Sequence, residues 1–174
     1  MFSFYKTHYT ELYTTIANLS REKMFYDALK LDDKLETRIY LIFIHFSLVF
    51  NILKKKNISK KITQDILDNL FQKIEYHFRE LGMGDVSVNK KMKDLSRIFY
   101  DILLKIQNLN GGNKSEINIS IVNKYLVINS KLLINNDFLS KYFEDFYNFC
   151  FNLDTKDIIR GKINYKYKHG RTQT

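Results

Sequence analysis

Apolar residues recur at intervals of three and four along most of this chain, and that spacing constrains its fold more than any other feature. Tyr9, Leu12, Tyr13, Ile16 and Leu19 form one such set. Ile62, Ile66, Leu67, Leu70, Phe71, Ile74, Phe78 and Leu81 form a second, and Met92, Leu95, Ile98, Phe99, Ile102, Leu103, Ile106 and Leu109 a third. Each set lines up as one stripe at a period of 3.6 residues, which a strand's period of two would scatter over both faces. Phe138, Leu139, Tyr142, Phe143, Phe146, Tyr147 and Cys150 mark a further, strongly aromatic helix.

Between the first two stripes, Ile39 to Leu53 reads IYLIFIHFSLVFNIL. A helix that is apolar on nearly every side is buried on nearly every side. The run is fifteen residues long and includes His45, Ser47 and Asn51, whereas a bilayer needs roughly 20 apolar residues. It is therefore read as a core helix, and no transmembrane helix is expected.

Turn chemistry punctuates the stripes. Asp32 or Asp33 is placed to cap the buried helix and Ser59 the next one. Gly82 follows Arg79-Glu80-Leu81, where a left-handed residue closes a helix and glycine adopts that conformation without a Cβ clash. Asn89 is placed to open the helix beyond, and Gly111-Gly112 marks a loop over 109–115. Ile117 to Ile134 carries two signals, β-branched residues suited to a strand and helical spacing at Ile121, Tyr125, Ile128 and Leu132. The helical spacing is the favoured one.

The chain of 174 residues is enough for one domain and too short for two independent cores. The fold expected is all-α, a single compact bundle of about six or seven helices over residues 1–155. A basic tail, loose or with one short added element, follows over residues 156–174. The lone cysteine, Cys150, excludes an internal disulfide and any Cys-based metal centre.

The net charge of +9 is unevenly placed. Six basic residues against one acid fall between Lys156 and Thr174. Lys54, Lys55, Lys56, Lys60 and Lys61 put five cations and no acid within eight residues. In the tail, Lys166, Lys168 and Arg171 interleave with Tyr165 and Tyr167. Cations beside aromatics suit RNA, and cations alone suit an anionic lipid surface; the plainer reading of each patch is a solvated helix end. No DNA partner is expected.

Enzyme chemistry finds little purchase. His8, His45, His77 and His169 are scattered, with no metal-ligand spacing. His45, inside the most apolar helix, reads as a satisfied core histidine, and Cys150 as an inert small hydrophobe. The Gly82-Met83-Gly84-Asp85 turn lacks both nucleotide-binding glycine fingerprints, although Lys90, Lys91 and Lys93 follow it. It reads as a helix–turn–helix corner. No catalytic residue, metal ligand or cofactor is expected.

Several of these residues occur in an ordered set. Leu12-Tyr13, Phe25-Tyr26, Asp32 with Arg38, His45, then RELGMGD over Arg79–Asp85, VNKKM over Val88–Met92 and Phe99-Tyr100 together resemble the ubiquinol–cytochrome c chaperone family. Tyr26, Arg38, His45, Arg79, Glu80, Gly82, Gly84, Asp85, Lys90 and Lys91 carry the resemblance. Asp101 and Ile102 depart from it, since the family usually has Gly-Arg there.

The resemblance implies an all-α protein that is not an enzyme. Mitochondrial members sit near the ribosomal tunnel exit with a small partner protein. They receive newly made cytochrome b for the ubiquinol–cytochrome c reductase (complex III). With no transit peptide recognisable at the N-terminus, a bacterial-type member is expected. It would be cytoplasmic or peripheral to the inner face of the cytoplasmic membrane, with the ribosome or anionic membrane as a further partner.

A holder of apolar client segments needs an exposed apolar face. Phe138, Tyr142, Phe146 and Phe149 are the candidates, because the aromatics of their helix wrap more than half its circumference. The rivals are a general RNA- or ribosome-associated helical module and, behind it, a small-molecule enzyme built on the Gly82–Asp85 corner with His45 or His77.

Overall fold

The computed structural model describes residues 4–107, 116–126 and 136–167. Within them lie eight helices: α1 (Phe4–Leu19), α2 (Lys23–Asp27), α3 (Leu35–Lys55), α4 (Lys60–Glu80), α5 (Asp85–Lys105), α6 (Ile119–Leu126), α7 (Asn136–Phe151) and α8 (Thr155–Ile159). The all-α, single-bundle expectation holds. No strand occurs among the described residues, where an isolated antiparallel bridge joins Gln107 to Ile117. Of the ambiguous 117–134 region, residues 119–126 are helical. The Gly111-Gly112 loop, residues 127–134, Lys168 and Arg171 lie outside the described residues.

α3 is the axis of the bundle. It touches α1, α4, α5, α6 and α7, and fourteen of its residues are buried. That explains its composition: a helix enclosed by five others has no polar face to present. The helix runs past its fifteen-residue apolar run to 21 residues. By length and composition alone it could cross a membrane, yet 67% of its apolar window is buried inside the bundle. α5 lies between α4 and α6 on one side of α3, and α7 packs beside α6.

Three helices end in the same motif. After α3, Ile58 N–H donates to the Leu53 carbonyl (3.0 Å) and Asn57 N–H to Lys54 (3.1 Å). After α4, Met83 reaches Phe78 and Gly82 reaches Arg79; after α8, Lys162 reaches Asp157 and Gly161 reaches Ile158. Each is a Schellman closure, which requires a left-handed residue. Asn57 (φ 55°), Gly82 (φ 81°) and Gly161 (φ 71°) supply it.

Two start signals differ from expectation. Neither Asp32 nor Asp33 caps α3, whose N-cap is Lys34 without a side-chain bond. Asp32 instead takes the Lys34 ammonium at 2.9 Å, and Asp33 takes Arg38 at 2.6 Å. α5 opens at Asp85 rather than Asn89. A carboxylate in the first turn complements the helix dipole, so Asp85 is the better start. Ser59 caps α4 as expected, its hydroxyl accepting from Ile62 N–H.

Over residues 156–167 the segment is packed and carries the short added element that was the alternative to a loose tail. Asp154 caps α8, which packs against α1. Beyond it residues 162–167 form neither helix nor strand, and Ile163 and Tyr165 are buried, with Ile158 of α8, in the same core as the helices before them.

Candidate functional site

The family-motif residues fall into two structural groups and do not converge on one cavity. The first is the α4–α5 corner. Arg79 pairs with Glu75 one turn back (2.8 Å) and with Asp85 across the turn. Its hydrogen bonds to Asp85 and then to Glu75 push the Arg79 guanidinium pKa up. Gly82 has open space around it and is required only by its left-handed φ. Gly84 is the N-cap of α5 at φ −72°, so it has no such need. Lys91 reaches back to Glu36 at 3.0 Å, tying α5 to α3. That bond, above all, holds the Glu36 carboxyl below its usual range. Glu80 and Lys90 are exposed.

The second group is interior. His45 is fully buried, with Nδ1 2.7 Å from the Leu41 carbonyl and Nε2 2.9 Å from the Tyr142 hydroxyl. A carbonyl only accepts, so Nδ1 carries the proton and Nε2 accepts from Tyr142. The ring is a satisfied neutral imidazole. Burial pulls its pKa down to about 4, against the Leu41 bond, which pushes it up. Ser20 lies beside it, its hydroxyl donating to Ile16 (2.9 Å), and Tyr26 donates to the Ser20 carbonyl (2.8 Å). Burial, opposed by the nearby Arg38, raises the Tyr26 hydroxyl. This network stitches α1, α2, α3 and α7 together.

The aromatic helix corrects the exposed-face expectation at two positions. Tyr142 is 1% exposed and Phe146 0%. The helix needs its many aromatics because it is packed from two sides. Toward α3 and α2, Tyr142 meets Phe25 and Phe146 meets His45 edge-on. On the other side the C-terminal segment covers it: Tyr165 packs on Tyr142, Phe146 and Phe149, and Tyr167 on Phe138. Phe138 and Phe149 are half-buried beneath that segment, while Phe151 at the helix end is exposed.

The Lys54–Lys61 cluster is partly committed to structure. The Lys56 ammonium donates to the Leu153 carbonyl at 2.6 Å and lies over the Phe151 ring; Lys55 lies over Tyr147. Lys54, Lys60 and Lys61 are exposed. Lys166 is exposed on the C-terminal segment, away from the buried side chains of Ile163 and Tyr165.

Asp101, where the family pattern breaks, is a structural anchor. It receives Lys105, Lys124 (2.6 Å) and the Tyr125 hydroxyl (2.6 Å), joining α5 to α6. Those three bonds hold its carboxyl far below the ordinary range.

Gly161 was missed in the sequence, and Tyr165 was read there only as part of the basic tail. Gly161 sits where a Cβ would lie 2.6 Å from the Glu11 carbonyl carbon and the Leu12 nitrogen, and its carbonyl accepts from the Thr15 hydroxyl at 2.8 Å. Tyr165 seals the core next to it. The alternation of Ile163, Tyr165 and Tyr167 with polar residues was the available signal.

Convergent chemistry is sparse. Burial lifts the Cys150 thiol to about 12, which leaves it unreactive. Among the described residues no cluster of three or more His, Cys, Asp or Glu could hold a metal ion. An open groove between α1 and the C-terminal segment is lined by Thr15, Asn18, Glu22, Ile163 and Tyr165, with none of His45, His77, Gly82 or Asp85 in its walls.

No curated protein matches the chain. The fold is similar to the crystal structure of the Cbp3 homolog from Brucella abortus, with a TM-score of 0.69 at 20% identity, covering 91% of this chain and 88% of that one. The profile of the family described as ubiquinol-cytochrome C chaperone matches residues 27–162, from the last residue of α2 through the Schellman closure of α8. The chain belongs to the ubiquinol–cytochrome c chaperone family.

Proposed function

We propose that this protein is an assembly chaperone of the ubiquinol–cytochrome c reductase that holds newly made cytochrome b until the complex can accept it. The observation that carries the reading is the family match over residues 27–162, which spans the Arg79 corner, His45 and helices α3 to α8. The motif residues support it indirectly. Arg79, Gly82, Asp85, Lys91 and His45 build a rigid scaffold rather than a reaction centre, as a holder requires.

Tyr142 and Phe146 belong to the core, so client contact falls to other surface. At the end of α7, Phe151 is exposed beside Lys56 and Phe149 is half-buried beneath Tyr165, and this edge is the part of the aromatic helix left for a client. The exposed cations Lys54, Lys60, Lys61 and Lys166 would keep the protein beside an anionic membrane or the ribosome. The test is capture of pulse-labelled cytochrome b by crosslinking in cells, compared between the native chain and a Phe149→Asp, Phe151→Asp double variant. Capture from the native chain supports the client. Its absence there refutes cytochrome b as the client, and equal capture by both chains removes the α7 edge.

A further inference from the structure

The outward face of α5 carries a surface that no other helix among the described residues covers. Val86, Lys90, Lys93, Arg97, Tyr100 and Leu104 step by 4, 3, 4, 3 and 4 residues. At 3.6 residues per turn all six fall within about 40° of one line. The opposite line holds Val88, Leu95, Phe99 and Ile102, all buried. The exposed line is a straight stripe roughly 27 Å long at 1.5 Å per residue.

The ends of the stripe are apolar and open to solvent: Val86 is 85% exposed, Leu104 72% and Tyr100 45%. Its middle is cationic. Lys90, Lys93 and Arg97 are exposed. Arg97 has a long contact of 3.7 Å to Asp94, while neither Lys90 nor Lys93 has an ion pair among the described residues. Of the other nearby acids, Asp85 is engaged by Arg79 and Asp101 by Lys105 and Lys124, so Asp94 is the acid that borders the stripe.

A 4-3-4-3 repeat is the spacing with which one helix receives another along its length. We infer that this stripe docks an amphipathic helix of a partner protein, with acidic side chains facing Lys90, Lys93 and Arg97 and apolar side chains facing Val86, Tyr100 and Leu104. Charge complementarity selects the occupant. A helix lying on a lipid surface sinks a continuous apolar face, and here three cations interrupt that face for two turns. Nucleic acid would use the cations but gains nothing from Val86 and Leu104. A matched acidic helix uses all six positions. The inference stands apart from the identity of the client, because none of these contacts involves α7.

The test places a photo-crosslinker at position 93 of the full chain in its own cells and maps the crosslinked product by mass spectrometry. It is repeated in a Lys90→Glu, Arg97→Glu background, whose exposed changes leave the core intact. The expected product is a helical segment with acids at the matching positions. Its yield should fall at least tenfold in the charge-reversed background and recover when those acids are changed to Lys. Crosslinks to phospholipid, crosslinks to RNA, a protein product indifferent to charge reversal, or no product at all would each overturn the inference.

Discussion

The Tyr142 hydroxyl donates to His45 Nε2 at 2.9 Å, joining two residues 97 positions apart at the centre of the bundle. Both groups are buried, so each is the other's substitute for water. Removing one partner leaves the other desolvated and unpaired, which costs about 1–3 kcal/mol. Tyr142→Phe keeps the ring that packs on Phe25 and deletes only that bond. Its unfolding free energy should drop by that amount, read as a lower urea midpoint at an unchanged slope; an unchanged midpoint would show that the pair contributes nothing.

The same pair predicts a dependence on pH. His45 has a folded-state pKa of about 4 against 6.5 for the free side chain. Between those values the unfolded chain binds a proton that the folded chain does not. The stability contributed by the neutral ring is therefore complete above pH 6.5 and lost as pH falls toward 4. The full loss is about 3 kcal/mol, from a shift worth 1.36 kcal/mol per unit. Native and His45→Gln chains compared by urea titration from pH 7 to 4.5 isolate it, since other groups titrate in both. The difference should narrow steadily on acidification; parallel curves would mean that His45 is not a buried neutral group.

Two glycines at left-handed φ separate conformational from steric cost. Gly82 has nothing within 4 Å of where a Cβ would lie, so Gly82→Ala should cost about 1 kcal/mol, for backbone conformation alone. Gly161→Ala adds an atom 2.6 Å from the α1 backbone and should cost at least about 2–3 kcal/mol. The second variant should also expose the 162–167 segment to limited proteolysis, which the first should not. Equal melting temperatures for the two would contradict the close approach of α8 to α1.

Tyr165→Ala removes the ring that covers Tyr142, Phe146 and Phe149. Large aromatic truncations in cores cost about 3–5 kcal/mol, and a residue at the rim of the core belongs at the lower end. Binding of an apolar fluorescent dye should rise in this variant under native conditions. A dye signal equal to that of the native chain would show that the C-terminal segment does not seal α7.

Local signals made much of this fold readable. Long single stripes such as Ile62 to Leu81 define α4 because one face of that helix meets the core and the other meets water. Gly82 and Ser59 could be placed because their backbone chemistry is demanded within a few residues. The missed features depend on distant contacts. Asp32 and Asp33 satisfy every local rule for a cap, yet Lys34 and Arg38 compete for their carboxylates. The aromatics of α7 look excessive until Tyr165 and Tyr167 pack over them from beyond the helix. Gly161 is unremarkable beside its neighbours and becomes necessary only where α1 passes against it. The motif residues were recognisable as a set, but only the structure separates the corner around Arg79 from the interior network around His45.

An assembly chaperone of this family is expected to be needed by the cell to build its ubiquinol–cytochrome c reductase. Reduced-minus-oxidised haem spectra of membranes, taken with and without the gene, test it most directly. Selective loss of the b-type signal belonging to that complex is expected, restored when the gene is returned. Spectra that are the same in both membranes would contradict it.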